Sequence, residues 1–116
     1  MTRTDLFDVA ALERKATAVA DVLRALSNER RLMILCKLVE WGEANVTTLA
    51  DAVGLSQSAL SQHLARMRED GIVAFRRESQ TLWYRIADPR VEELFVTLHG
   101  LFCGPDKKSK RKEKTS

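Results

Sequence analysis

Cys36 and Cys103 are the two cysteines of this 116-residue chain, and they stand 67 positions apart. That separation is far too long for a Cys-x-x-Cys redox motif, and two thiols are too few for a four-ligand zinc cage. Two distant thiols can still react with an oxidant or a sulfur donor and become joined, provided that the fold brings them together. The competing reading makes both of them small core side chains. Free cysteine is among the most buried residue types, and these two are flanked by Met33-Ile34-Leu35 and Leu101-Phe102.

Other reactive constellations are missing from the sequence. His63 and His99 are the two histidines, and neither has companions at metal-ligand spacing, so no metal site is expected. There is no Ser/His/Asp arrangement and no glycine-rich phosphate loop, and the carboxylates are scattered among basic residues as on solvated faces. No cofactor is implied, and enzymatic function is not expected.

The elements that must position the thiols follow from periodicity. From about Asp8 to Leu26, the apolar residues Leu12, Ala16, Val19, Leu23 and Leu26 recur on one helical face, which predicts a first amphipathic helix. Ser27-Asn28 offers a cap for a second helix, in which Leu32, Leu35, Cys36 and Val39 form an inward stripe before Gly42. A short helix from Thr47 turns Leu49, Ala50 and Val53 inward and ends at Gly54. Ser56 caps the next helix, which buries Leu60, Leu64 and Met67 and ends at Gly71.

After Gly71 the pattern alternates. Ile72 to Arg77 and Thr81 to Ile86 read as two strands joined at Glu78-Ser79-Gln80. Asp88-Pro89 then opens a last helix with Val91, Leu94, Phe95, Leu98 and Phe102 on its apolar stripe and Cys103 in its final turn. The expected fold is mainly α with a β-hairpin wing, a winged helix-turn-helix spanning residues 1–104.

Such a motif inserts its second helix in the DNA major groove. Here the exposed face of that helix carries Gln57, Ser58, Ser61, Gln62 and Arg66. Glutamine amides can bond adenine bidentately, the hydroxyls can serve a base or a phosphate, and Arg66 can neutralise a phosphate. His63 lies at the edge of this surface, as a packing or phosphate-contact residue. Arg76, Arg77 and Gln80 cluster near the hairpin tip, where unpaired arginines suit phosphate or minor-groove contact. Together these residues predict double-stranded DNA as a partner.

Charge supports that partner only weakly. The net charge is +3, but six basic residues follow Pro105 against Asp106 and Glu113, so the tail carries +4 and the body −1. Residues 105–116 therefore read as a basic, disordered tail. No apolar run exceeds Leu32 to Cys36, and MTRTDLFDVAALERK is charged where a signal peptide would be apolar. The expectation is a soluble, cytoplasmic protein with no membrane contact, in a compartment where thiols stay reduced.

The runs Leu26-Ser27-Asn28-Glu29-Arg30-Arg31-Leu32, Leu55-Ser56-Gln57-Ser58-Ala59-Leu60-Ser61-Gln62-His63-Leu64 and Leu82-Trp83-Tyr84-Arg85 strongly resemble the ArsR/SmtB family of bacterial winged-helix repressors. The resemblance implies a homodimer joined by its first and last helices and a two-fold symmetric operator. It also lets the family's effector sites be tested position by position. The Cys-x-Cys of arsenic and cadmium sensors is absent, because Asn45 to Asp51 holds no cysteine. The zinc site is broken, since Asp88 is followed by Pro89-Arg90 and the third residue after His99 is Phe102.

What remains, Cys36 and Cys103, looks like the dithiol of the family's persulfide-sensing subgroup. That resemblance implies a persulfide or polysulfide effector, and DNA release when the two sulfurs are bridged. The dipole at the end of the last helix disfavours a thiolate at Cys103, which makes Cys36 the expected first nucleophile. Four alternatives stand beside this reading. They are a family member with inert cysteines, as in nodulation repressors; a response to another thiol oxidant or to Cu(I); a small thiol peroxidase; and a protein-interaction module.

Overall fold

The computed structural model describes residues 6–104, so the basic tail expected at 105–116 lies outside the described residues. Each helix start is set by a short polar side chain that accepts a hydrogen bond from an otherwise unpaired backbone N–H. Asp8 caps α1 (Val9–Arg14) by accepting from Ala11 N at 3.1 Å. Asn28 caps α3 (Glu29–Trp41) by accepting from Arg30 N at 2.9 Å and Arg31 N at 3.1 Å. Asn45 caps α4 (Val46–Val53), Ser56 caps α5 (Gln57–Glu69) and Asp88 caps α6 (Pro89–Phe102) in the same way. Only α2 (Ala16–Leu26) begins without a side-chain cap, because it follows α1 across Lys15 alone.

The single first helix expected from periodicity is therefore two. Lys15 leaves helical backbone angles, with φ −106° and ψ 5°, and a spacing rule for apolar residues does not register one such residue. Leu12, Val19 and Leu23 are exposed in the single chain, and only the end of α2, at Ala25 and Leu26, enters the core.

The core gathers Ile34, Leu35 and Leu38 of α3, Leu49 and Ala50 of α4, Leu60, Leu64 and Met67 of α5, and Val91 and Phe95 of α6. On α3 the buried face is centred on Ile34, Leu35 and Leu38, which turns Cys36 away from it. The expectation that Cys36 faces inward is thus wrong, and so is the reading of both cysteines as core residues: both are exposed and unbridged. Leu32, Cys36 and Val39 do share helical spacing, but a mostly apolar segment offers more than one such stripe, and packing selects between them.

Gly54 takes the left-handed conformation, φ 70° and ψ 35°, and lets α4 turn into α5. The wing follows as β2 (Val73–Glu78) and β3 (Thr81–Ile86), paired antiparallel from Val73↔Ile86 to Glu78↔Thr81. Ile72 precedes the strand instead of opening it, and Glu78 is its last residue, leaving Ser79-Gln80 as the turn with Ser79 at φ 57°. A third strand, β1 (Ala44–Asn45), pairs with β3 through Ala44↔Tyr84 and Asn45↔Trp83, giving the order β1-β3-β2. Two residues are too few to show alternation. Among the described residues no helix is long and apolar enough to cross a membrane.

Leu64 is fully buried where α5 meets the core. Leu64→Ala should cost about 2–5 kcal/mol of stability in urea unfolding; a loss below about 1 kcal/mol would show that α5 is not anchored as described.

Candidate nucleic-acid interface and thiol pair

The exposed side of α5 is a consequence of its buried one. With Leu60, Leu64 and Met67 held in the core, Ser58, Ala65 and Glu69 stand at the centre of the outer face, with Ser61 and Gln62 on either side, at ~100° per residue. Gln57, Ser58, Ser61, Gln62 and Arg66 are all exposed. Gln57 and Ser61 meet Asn45, Thr47 and Thr48 of the α4 N-terminus and Gln80, Thr81 and Leu82 of the wing around one open groove of about 540 Å³. Within it Gln57 Nε2 donates to Thr47 Oγ1 at 3.4 Å. The lining is amides and hydroxyls without a charged side chain, a surface suited to hydrogen bonding with base edges and phosphate oxygens.

Thr47, Thr48 and Thr81 were not singled out in the sequence, because isolated threonines carry no spacing signal. Arg66 lies about 180° around the helix from Gln57. It lines a separate cavity of about 480 Å³ with Arg24, Arg31, Asp70 and Arg90.

The wing arginines do not form the free cluster expected from their proximity in sequence. Register puts Arg77 opposite Leu82, on the sheet face that meets the groove, whereas Arg76 is opposite Trp83 on the other face. Arg76 is also not unpaired. Its Nε donates to Glu43 Oε2 at 2.7 Å, one Nη to Glu43 Oε1 at 3.1 Å and the other to Glu78 Oε1 at 3.1 Å, and its guanidinium lies 5.8 Å from the Trp83 ring centre. The Glu43 carboxyl is held below its usual range, first by the hydrogen bond from Arg76. Arg76 thus ties the wing to the corner between α3 and β1. Nothing local in the sequence could reveal a partner 33 positions away.

His63 is likewise engaged inside the protein. Its Nδ1 accepts from Arg31 Nε at 3.3 Å, and burial first, then Arg31 and Arg30, push its imidazole below the usual value. Both effects disfavour the imidazolium, and the ring is engaged by Arg31 within the protein.

Cys36 lies on α3 and Cys103 at the C-terminal end of α6, two helices that pack together. Cys103 caps the C-terminus of α6, its N–H donating to His99 O at 2.8 Å. Cys36 opens onto a recess of about 440 Å³ lined also by Val39, Glu40, Phe95, Val96 and His99. Its thiol is pushed above the usual range, first by burial and then by negative charge at Cys103, while Lys37 pulls the other way. The penalty on the Cys36 thiolate works against the order of attack expected from helix position alone. Among the described residues, no three His, Cys, Asp or Glu side chains gather to hold a metal ion.

A model of the family described as bacterial regulatory protein, arsR family, matches residues 28–74. The transcriptional activator HlyU of Vibrio cholerae is 44% identical over 92 residues, 79% of this chain and 84% of the relative. This chain belongs to the ArsR family. The crystal structure of the transcriptional repressor BigR from Xylella fastidiosa matches with a TM-score of 0.74 at 40% identity, over 89% of this chain and 98% of that one. The solution structure of a homodimeric winged helix-turn-helix DNA-binding domain from Mycobacterium bovis matches with a TM-score of 0.67 at 38% identity, over 79% and 82%. As an ArsR-family protein the chain is a DNA-binding transcriptional regulator with a winged helix-turn-helix fold, and not an enzyme.

For an ArsR-family regulator, the geometry of α5 predicts that Gln62→Ala weakens operator binding by about 1–3 kcal/mol and spares random DNA. Equal loss on both would make Gln62 a phosphate contact. The wing geometry predicts a contrast: Arg77→Ala flattens the salt dependence of DNA affinity, and Arg76→Ala leaves the slope unchanged. A flatter slope in Arg76→Ala would show that this side chain leaves Glu43 for a phosphate.

Proposed function

We propose that the chain is a homodimeric repressor that holds operator DNA while Cys36 and Cys103 are free thiols and releases it when reactive sulfur species bridge them. One observation carries this reading: the only two cysteines of the chain lie on α3 and at the end of α6, helices that pack together, both are exposed, and charge at Cys103 adds to what pushes the Cys36 thiol up. Persulfide or polysulfide is the effector. Gln57, Ser58, Ser61 and Gln62 read base edges, with Arg66, Arg77 and Gln80 on the backbone.

The dimer covers apolar surface that a single chain leaves in water. Leu12, Val19 and Leu23 on α1 and α2, and Val96, Leu101 and Phe102 on α6, are exposed, Phe102 by 83% and Leu101 by 74%. Monomeric proteins seldom leave so much contiguous apolar area uncovered, and a second copy supplies the same two helices in return.

The chemistry balances without an added oxidant. Each thiolate attacks the outer sulfur of an organic persulfide, the donor S–S bond breaks, and the donor leaves as a thiolate. The persulfide anion on one cysteine then attacks the carbon-bound sulfur of the persulfide on the other and expels hydrosulfide, leaving three sulfurs between the two side chains. If only one cysteine carries the extra sulfur, the other thiolate displaces hydrosulfide and a disulfide results. An inserted sulfur adds up to ~2 Å of reach, so the longer bridge tolerates Cα separations beyond the ~7 Å limit of a disulfide.

Such a bridge ties α3, which adjoins the DNA-reading unit, to α6 at the dimer surface. Moving the paired recognition helices away from one-turn spacing of ~34 Å costs affinity, and a coupling of ~1–3 kcal/mol is enough to lose most binding. Cys36→Ser and Cys103→Ser should each bind the operator as the reduced parent does, and each should keep it after persulfide treatment. Release from either single variant at the parent's persulfide concentration would rule out the bridge; release from neither, with no release from the parent, would make the cysteines inert.

A further inference from the structure

His99 shares the recess with Cys36, and neither the DNA-reading surface nor the bridge gives that imidazole a task. Cys36 and Glu40 lie one turn apart on α3, and His99 and Cys103 lie one turn apart on α6. Cys36, Glu40 and His99 line the same cavity of about 440 Å³, whose other walls are Val39, Phe95 and Val96. Cys36 is exposed at the edge of this recess, and partial burial by its walls is the first cause that pushes the thiol up, with Cys103 the second. Lys37 opposes them, but its ammonium is 3.3 Å from Glu40 Oε1 and 5.3 Å from the Trp41 ring centre. A nucleophile so placed needs a base beside it, and imidazole is the side chain whose ordinary proton exchange falls in the physiological range.

We propose that His99 takes the proton of the Cys36 thiol and makes Cys36 the attacking sulfur. The S–H of Cys36 gives its proton to a ring nitrogen of His99, and the thiolate bonds to the outer sulfur of an organic persulfide. The donor S–S bond breaks, and the departing thiolate takes the proton back from the imidazolium. One sulfur has moved: Cys36 ends as a persulfide and the donor as a thiol. Glu40, on the same wall, favours the imidazolium that forms in between. The inference rests on the sulfur-sensing reading for its donor but not for the proton transfer, which any electrophile at Cys36 reports.

The test uses the full chain with Cys103→Ser, which leaves one reactive thiol. Iodoacetamide alkylation is followed by intact mass from about pH 5 to about pH 10. The rate at neutral pH should depend on His99: adding His99→Gln should lower it about tenfold and leave a rise with pH that belongs to the thiol alone. Free imidazole should restore the rate in Cys103→Ser/His99→Ala, a rescue that altered packing would not give. Profiles that agree within about twofold with and without His99 overturn the proposal. A His99-dependent profile in a protein whose DNA affinity persulfide leaves unchanged supports the proton transfer and contradicts the sensing reading.

Discussion

The burial of Ile34, Leu35 and Leu38 of α3 in the core fixes everything else in this molecule. It seats α3 against α4, β3 and α6 at once, so the DNA-reading unit and the last helix share one rigid neighbour. The same burial decides where the remaining α3 side chains go. Cys36 is turned to the α6 side and Arg31 toward His63 of α5, while the end of the helix delivers Glu43 to the wing. A change at one face of α3 is therefore passed to the three elements packed on it, because packed interiors shift as units.

Much of this was legible in the residue pattern, for physical reasons that can be named. Caps at Asn28, Ser56 and Asp88 are local, since the side chain and the N–H it satisfies lie two or three residues apart. The turn at Gly54 and the alternation of β3 are local too. What escaped was set by distance in sequence. Glu43 meets Arg76 across 33 positions, Arg31 meets His63 across 32, and β1 exists only because Tyr84 and Trp83 are there to pair with it. Cys36 was assigned to the wrong face because it shares helical spacing with Leu32 and Val39, which reach the core only partly, while the buried face is centred on Ile34, Leu35 and Leu38.

Correcting the Cys36 assignment strengthens the functional reading. A buried thiol would be a packing residue, whereas one at a recess, burdened in its ionisation by burial and by a second thiol, is poised to react only with help. The wing is corrected in the opposite direction. Arg76 is not the unpaired arginine expected but a strut that holds the hairpin to Glu43 beyond the end of α3. In the proposed reading, regulation and recognition meet in α3, which carries Cys36 at one face and leads into Glu43, the partner of Arg76 on the wing.

The most direct measurement titrates the reduced protein on operator DNA with an organic persulfide and reads two quantities from each sample, the bridged fraction by intact mass and the DNA-bound fraction by anisotropy. If the bridge is the switch, the two curves are mirror images, and each released protomer carries the mass of a Cys36–Cys103 link. DNA loss while both thiols are still free, or complete bridging with the operator still bound, would contradict it.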